Sequence, residues 1–133
     1  QVTGPKATEL WSHKRLRVHH GNMVCASGVI YGSSGDFGPA PLTAVDARTG
    51  RVLWQDRTFA KANFVLARDV ILVTDDDGSI GAARISSKGF ELLGQAQLLR
   101  ANSWTCPTLS GSRLFVRDRH RLTALDMYAQ TRK

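Results

Sequence analysis

A few side chains in this 133-residue chain have types and spacings that could do chemistry. His19 and His20 are adjacent, with His13 upstream, and imidazoles are frequent metal ligands. Neighbouring residues on an extended strand point to opposite faces, so this pair is not expected to share one ion. Asp75, Asp76 and Asp77 precede Gly78 and form the densest carboxylate cluster. Their spacing lacks the alternating acids of a calcium loop, and Asp-Gly between two apolar runs predicts a hairpin turn. Cys25 and Cys106 have no Cys-x-x-Cys companion, so two free thiols and no metal site are expected. The glycine-rich GSSGDFGP loop, Gly32 to Pro39, precedes no helical pattern, which argues against a phosphate cradle. Gly-x-Ser-x-Gly, His-Glu-x-x-His and Ser-x-x-Lys elements are absent, and no nucleophile has a neighbouring base. The expectation is a chain with no catalytic residue, no metal and no cofactor.

The elements that must position these side chains recur. LTAVDARTGRVLWQ, Leu42 to Gln55, is an apolar strand ending in Asp46, a tight turn at Thr49-Gly50, and a second strand closed by Trp54. LTALDM, Leu122 to Met127, is a truncated copy, and IGAARI, Ile80 to Ile85, a degraded one. Aligning Ile30, Ile71 and Leu114 brings VIYGSSG, VILVTDDDG and RLFVRDRH into register, each preceded by a short apolar run starting at Asn22, Asn63 or Thr105. Cys25 then aligns with Leu66 and Leu109, which predicts a small core residue. Short runs rich in Val, Ile, Leu, Thr and Phe, punctuated by Ser-Gly, Asp-Gly and Thr-Gly, predict strands, and no sustained 3.6-residue period predicts a helix. Units of about forty residues with four antiparallel strands each describe propeller blades, which bury their faces only by stacking. The predicted fold class is all-β: an incomplete β-propeller forming a single partial domain over 1–133. Its blades lie near 22–56, 63–96 and 104–127, with 8–13 as the fourth strand of a preceding or last blade.

A chain of this length can bury about two-thirds of its unfolded surface. No apolar run reaches the roughly 20 residues of a membrane helix, and no signal-peptide pattern is present. The chain opens with Gln1, which predicts a processed protein or a fragment. Its net charge of +7 invites a nucleic-acid reading. Arg117, Arg119 and Arg121 would share one face of a strand, with Arg132 and Lys133 in the tail, but no aromatic residue interleaves with them. A solvated face protecting a strand edge is the better account, and nucleic acid is not expected as a partner.

From Ala44 to Trp54 the sequence resembles the pyrroloquinoline-quinone-type propeller repeat, roughly Ala-x-Asp-x-x-Thr-Gly-x-x-x-Trp. Ala44, Asp46, Thr49, Gly50 and Trp54 match it, LTALDM matches its first half through Ala124 and Asp126, and the middle copy keeps Ala82 but has Arg84 for the Asp. The resemblance runs over three blades from Met23 to Met127. It implies a periplasmic or secreted bacterial setting, and a family holding both quinoprotein dehydrogenases and non-enzymatic propellers. The enzymes hold quinone and calcium with carboxylate, amide and arginine side chains, often beside two adjacent cysteines, which this chain lacks. The expected function is therefore a non-enzymatic interaction scaffold. The alternative is a fragment of a quinoprotein dehydrogenase whose cofactor residues lie elsewhere. The motif itself is a structural staple: Asp46 accepts turn N–H groups, Gly50 supplies a positive φ, and Trp54 docks on the neighbouring blade.

His20, Lys61 and Trp104 each precede a register residue by ten positions, where the chain enters the innermost strand of its blade. By analogy with the fold, that place rims the central channel. His19, His20, Lys61, Asn63, Ser103 and Trp104 are thus the candidate binding residues, suited to a protein or small anionic partner. The run from Glu9 to His13 puts Trp11 in the place of Trp54. Three blades are too few to close a ring. The chain is therefore expected to belong to a longer propeller or to pair into a six-bladed homodimer, with Trp11 docking onto the partner's third blade.

Overall fold

A computed structural model describes residues 2–35, 38 and 40–128. Asp36, Phe37 and Pro39 of the glycine-rich loop, and the tail with Arg132 and Lys133, lie outside the described residues. A short hairpin, β1 (Val2–Thr3) with β2 (Lys6–Ala7), precedes three meandering antiparallel sheets. The first contains β3 (Met23–Ala26), β4 (Val29–Ser33), β5 (Pro41–Asp46) and β6 (Val52–Ala60). The second contains β7 (Asn63–Ala67), β8 (Val70–Thr74), β9 (Ser79–Ser86) and β10 (Gly89–Gln97). In the third, β11 (Thr108–Ser110), β12 (Arg113–Arg117) and β13 (Leu122–Asp126) pair without a described fourth strand. Strand order follows chain order in every sheet, and no helix occurs among the described residues. The fold is that of an incomplete β-propeller of antiparallel blades.

Alternating side chains on each blade build two cores. Tyr31, Leu42, Ala44 and Phe59 of the first sheet meet Phe64, Ile71, Val73 and Ala83 of the second. The opposite face of the second sheet, with Leu72 and Ile80, meets Leu114 and Val116 of the third. Burial of these apolar faces is what joins the blades.

Local stapling follows from the repeat. The Asp46 carboxylate accepts N–H bonds from Arg48 (3.1 Å) and Thr49 (2.8 Å) and the Thr49 hydroxyl (2.8 Å). The Thr49 hydroxyl bond foremost holds the Asp46 pKa below the ordinary carboxylate value. Gly50 sits at φ +73°, and a β-carbon there would lie 2.7 Å from the Trp11 ring. Trp54 leaves its own blade to stack on Phe90, with centroids 6.0 Å apart, and donates its indole N–H to the Ser86 carbonyl at 3.0 Å. A second device lies in the register itself: Ser34, Asp75 and Asp118 directly follow the second strand of each blade. Their side-chain oxygens accept the backbone N–H of Arg17 (3.2 Å), Ala60 (3.0 Å) and Arg100 (3.1 Å), tying the incoming segment to the blade.

Several expectations need correction. Cys25 is exposed, because its position on the innermost strand faces away from both cores; both thiols are free. Arg117, Arg119 and Arg121 do not share a strand face: β12 ends at Arg117, and Asp118 draws the chain into a turn by accepting the N–H groups of His120 and Arg121. Residues 8–13 form no strand. Trp11 lies on its own first blade, donating its indole N–H to the Ala47 carbonyl at 3.0 Å over Gly50. The expected Asp-Gly turn at 75–78 is present between β8 and β9.

Candidate functional site

The segment entering each blade crosses one end of the sheets before turning into the innermost strand. Ties at the blade ends hold these segments. The Ala62 N–H donates to the Ser33 hydroxyl at 2.9 Å, and Lys61, held at φ +49°, donates its N–H to the Ala40 carbonyl at 3.3 Å. At the third blade, Asn102 and Ser103 both donate their N–H to the Asp76 carbonyl, and the Ser103 hydroxyl donates to the Arg100 carbonyl at 2.7 Å. The Asp75–Asp77 turn of the second blade therefore anchors the approach to the third.

Between these segments lies a cavity of about 230 Å³, lined by His19, His20, Ser33, Lys61 and Trp104 with adjoining backbone. His20 stacks on Trp104, ring centroids 5.2 Å apart and planes 10° from parallel, and His19 tilts against His20 at 3.8 Å. The Arg119 guanidinium lies 4.8 Å from the Trp104 ring centroid, and the Trp104 indole N–H donates to the Asp76 carboxylate. The result is a partly apolar, ring-walled pocket with the basic Lys61 in its lining and Arg119 held against the Trp104 ring. Its electrostatics favour an anion, and its ring edges favour a flat or apolar group beside that anion.

Four of the six sequence-derived residues, His19, His20, Lys61 and Trp104, come together around this cavity. Asn63 and Ser103 do not reach its surface: they are 1% and 0% exposed and sit behind the wall. The Asn63 carboxamide oxygen accepts the Cys106 thiol at 3.3 Å, while its Nδ2 has no partner. Burial pushes the Cys106 thiol above its ordinary pKa. Sequence reasoning missed Asp76 and Arg119. In the sequence Asp76 belongs to a turn and Arg119 to a basic run, and no spacing rule connects either to Trp104.

The chain matches no protein-family model and no curated protein. It is similar to the crystal structure of BamB from Moraxella catarrhalis, a β-propeller, at 21% identity and a TM-score of 0.59. The similarity covers 77% of this chain and 29% of that one, so the chain spans under a third of that propeller's length. No helix among the described residues is long and apolar enough to cross a membrane.

Proposed function

We propose that this chain is a non-enzymatic interaction module, part of a propeller of the pyrroloquinoline-quinone-like repeat type, that captures an anionic, extended protein segment at its inner rim. The observation that carries this reading is the convergence of one residue from each entering segment, His20, Lys61 and Trp104, on a single cavity. Each comes from a different blade, so the site is a property of the assembled arc. Trp104 supplies a rigid platform at low entropic cost, as indole does at protein interfaces, and Lys61 and Arg119 supply the charge. A partner carboxylate beside Lys61, with an apolar neighbour against the Trp104–His20 stack, satisfies both features.

The rim does not fit a quinone held with calcium. Its nearest carboxylate, Asp76, is occupied by the Trp104 indole, and no three His, Cys, Asp or Glu side chains converge among the described residues.

The test is the variant carrying His20→Ala, Lys61→Ala and Trp104→Ala, titrated with a fluorescein-labelled peptide of alternating Glu and Phe. Affinity should fall about 30-fold or more, the equivalent of ~2 kcal/mol, with circular dichroism unchanged. Equal affinity for wild type and folded variant would sink the site. Addition of pyrroloquinoline quinone and calcium should give neither bound-quinone absorbance nor dye reduction with an alcohol; either signal would reinstate the dehydrogenase-fragment reading.

A further inference from the structure

The two joints between blades are built on the same register but filled differently. In the first sheet, Tyr31, Ala44 and Trp54 lie opposite one another across β4, β5 and β6. In the second, the same row across β8, β9 and β10 reads Leu72, Ala82 and Gly94. Two aromatic side chains of the first joint are thus replaced by a leucine and a hydrogen atom. At the first joint Tyr31 and Trp54 lie 5.9 Å apart and Trp54 stacks on Phe90. At the second, a β-carbon on Gly94 would meet nothing within 4 Å.

The space left behind is a groove of about 300 Å³, lined by Leu72, Ala82, Gly94, Leu114, Leu125 and Met127 among others. Leu93, Leu98 and Met127 stand at its mouth, each at least 39% exposed. A volume of this size lies at the lower bound of ligand sites, roughly 300–1,000 Å³. The chain also states what fits. At the first joint the same register position holds an indole whose N–H donates to the carbonyl of Ser86, just after Ile85. The Met127 N–H bonds to the Ser112 carbonyl as the Ile85 N–H bonds to Asp69, which makes Tyr128 the counterpart of Ser86. An indole in the groove would have its apolar walls and its acceptor at the places they occupy for Trp54.

We propose that the groove between the second and third blades is a binding site for a small flat aromatic ligand of indole size. It is separate from the rim and independent of the reading given for it. The lining carries no charge, so the ligand is neutral, and selection is by shape and ring contacts. An apolar cavity left by a missing ring is a favourable site for a free one, since the lining lacks the dispersion contacts that a ring restores.

Free indole titrated into the isotopically labelled wild-type chain is the primary test. Ring-current shifts should appear on the methyl signals of Leu72, Leu114, Leu125 and Met127, saturating at one indole per chain. Gly94→Trp fills the groove from within; the Gly94 backbone is outside the left-handed region, so an L-residue is accommodated there. That variant should melt at a higher temperature and lose the indole shifts, and the milder Gly94→Leu should weaken binding at least tenfold. Absence of shifts in wild type, including absence because a second copy covers the groove, overturns the proposal. Indole shifts that persist undiminished in a folded Gly94 variant overturn it equally.

Discussion

Asn22 and Asn63 occupy equivalent positions, and only the first can close a clasp between blades. The Asn22 carboxamide donates to the Phe64 carbonyl and accepts the Phe64 N–H, both at 2.8 Å, and so joins the first innermost strand to the second. The residue in the place of Phe64 on the third blade is Pro107, which has no N–H to give. Asn63 therefore receives only a thiol and leaves its Nδ2 without a partner. Asn22→Ala strands a donor and an acceptor on Phe64, itself 1% exposed, at about 1–3 kcal/mol each. The expected total is ~2–4 kcal/mol. For a domain of this length, ~1 kcal/mol corresponds to roughly 3–5 °C, so the melting midpoint should fall by about 10 °C. Asn63→Ala loses one weak bond and removes an unsatisfied amide, and should lie within about 1 kcal/mol of wild type. Pro107→Ala restores the missing N–H, and a double-mutant cycle between positions 63 and 107 should give about 1 kcal/mol of coupling. Denaturant midpoints by circular dichroism compare the wild type with these four variants. If Asn63→Ala destabilises as much as Asn22→Ala, or the cycle shows no coupling, the clasp reasoning fails.

Asp75 and Asp118 do the same structural work in opposite electrostatic settings. Burial raises the Asp75 pKa from 3.8 to about 6, so the folded state holds a proton there that the unfolded chain releases. Stability should decline as pH rises from about 4 to 6, by about 3 kcal/mol, and Asp75→Asn should flatten that slope in pH-dependent urea melts; an unchanged slope would exclude Asp75 as its source. Asp118 is pulled down to about 2, foremost by the Arg100 N–H, so its contribution is present above pH 4 and lost as pH falls from 4 to 2. Gly50→Ala must adopt a positive φ and displace the Trp11 ring, and should cost about 2 kcal/mol; a loss below ~0.5 kcal/mol would show that Trp11 is not seated there. Trp54→Ala should cost ~3 kcal/mol and Trp11→Ala less, because Trp11 closes no sheet-to-sheet joint; equal midpoints for the two would contradict this.

The fold was legible because blade physics is periodic. Strand runs, Asp-Gly and Thr-Gly turns and the forty-residue spacing each stand in the sequence at the scale of a few neighbouring residues. The rim was legible in part for the same reason: His20, Lys61 and Trp104 share a register position, and register transfers into space. Asn63 and Ser103 share the neighbourhood but not the surface, since one residue along an entering segment separates a wall from its backing. Cys25 failed because alignment with Leu66 and Leu109 gives register but not neighbours: those leucines face the core shared with the sheet before them, and among the described residues no sheet lies against that face of the first. Arg119 failed because Asp118 breaks the strand that was to carry it.

The two joints explain how a site spanning three blades can be rigid. The first joint has an aromatic row, the Asn22 clasp and Phe59 against Gly81. The second has Gly94, Pro107 and an unpartnered amide at the corresponding places, so core packing alone holds it less tightly. The third blade's approach is instead fixed at the rim, through the N–H groups of Asn102 and Ser103 and the Trp104 indole, all on Asp76, with the Arg121 guanidinium donating to the Leu98 carbonyl at 2.7 Å. Trp104 thus both borders the proposed binding cavity and helps to seat the third blade. A partner pressing on Trp104 at the rim acts on the looser joint, where the aromatic groove also lies. Occupancy of one should therefore alter the affinity of the other, reciprocally, if the joint has two arrangements. Titrating the Glu–Phe peptide with and without saturating indole measures that coupling, and identical affinities would show that the joint is a single rigid body.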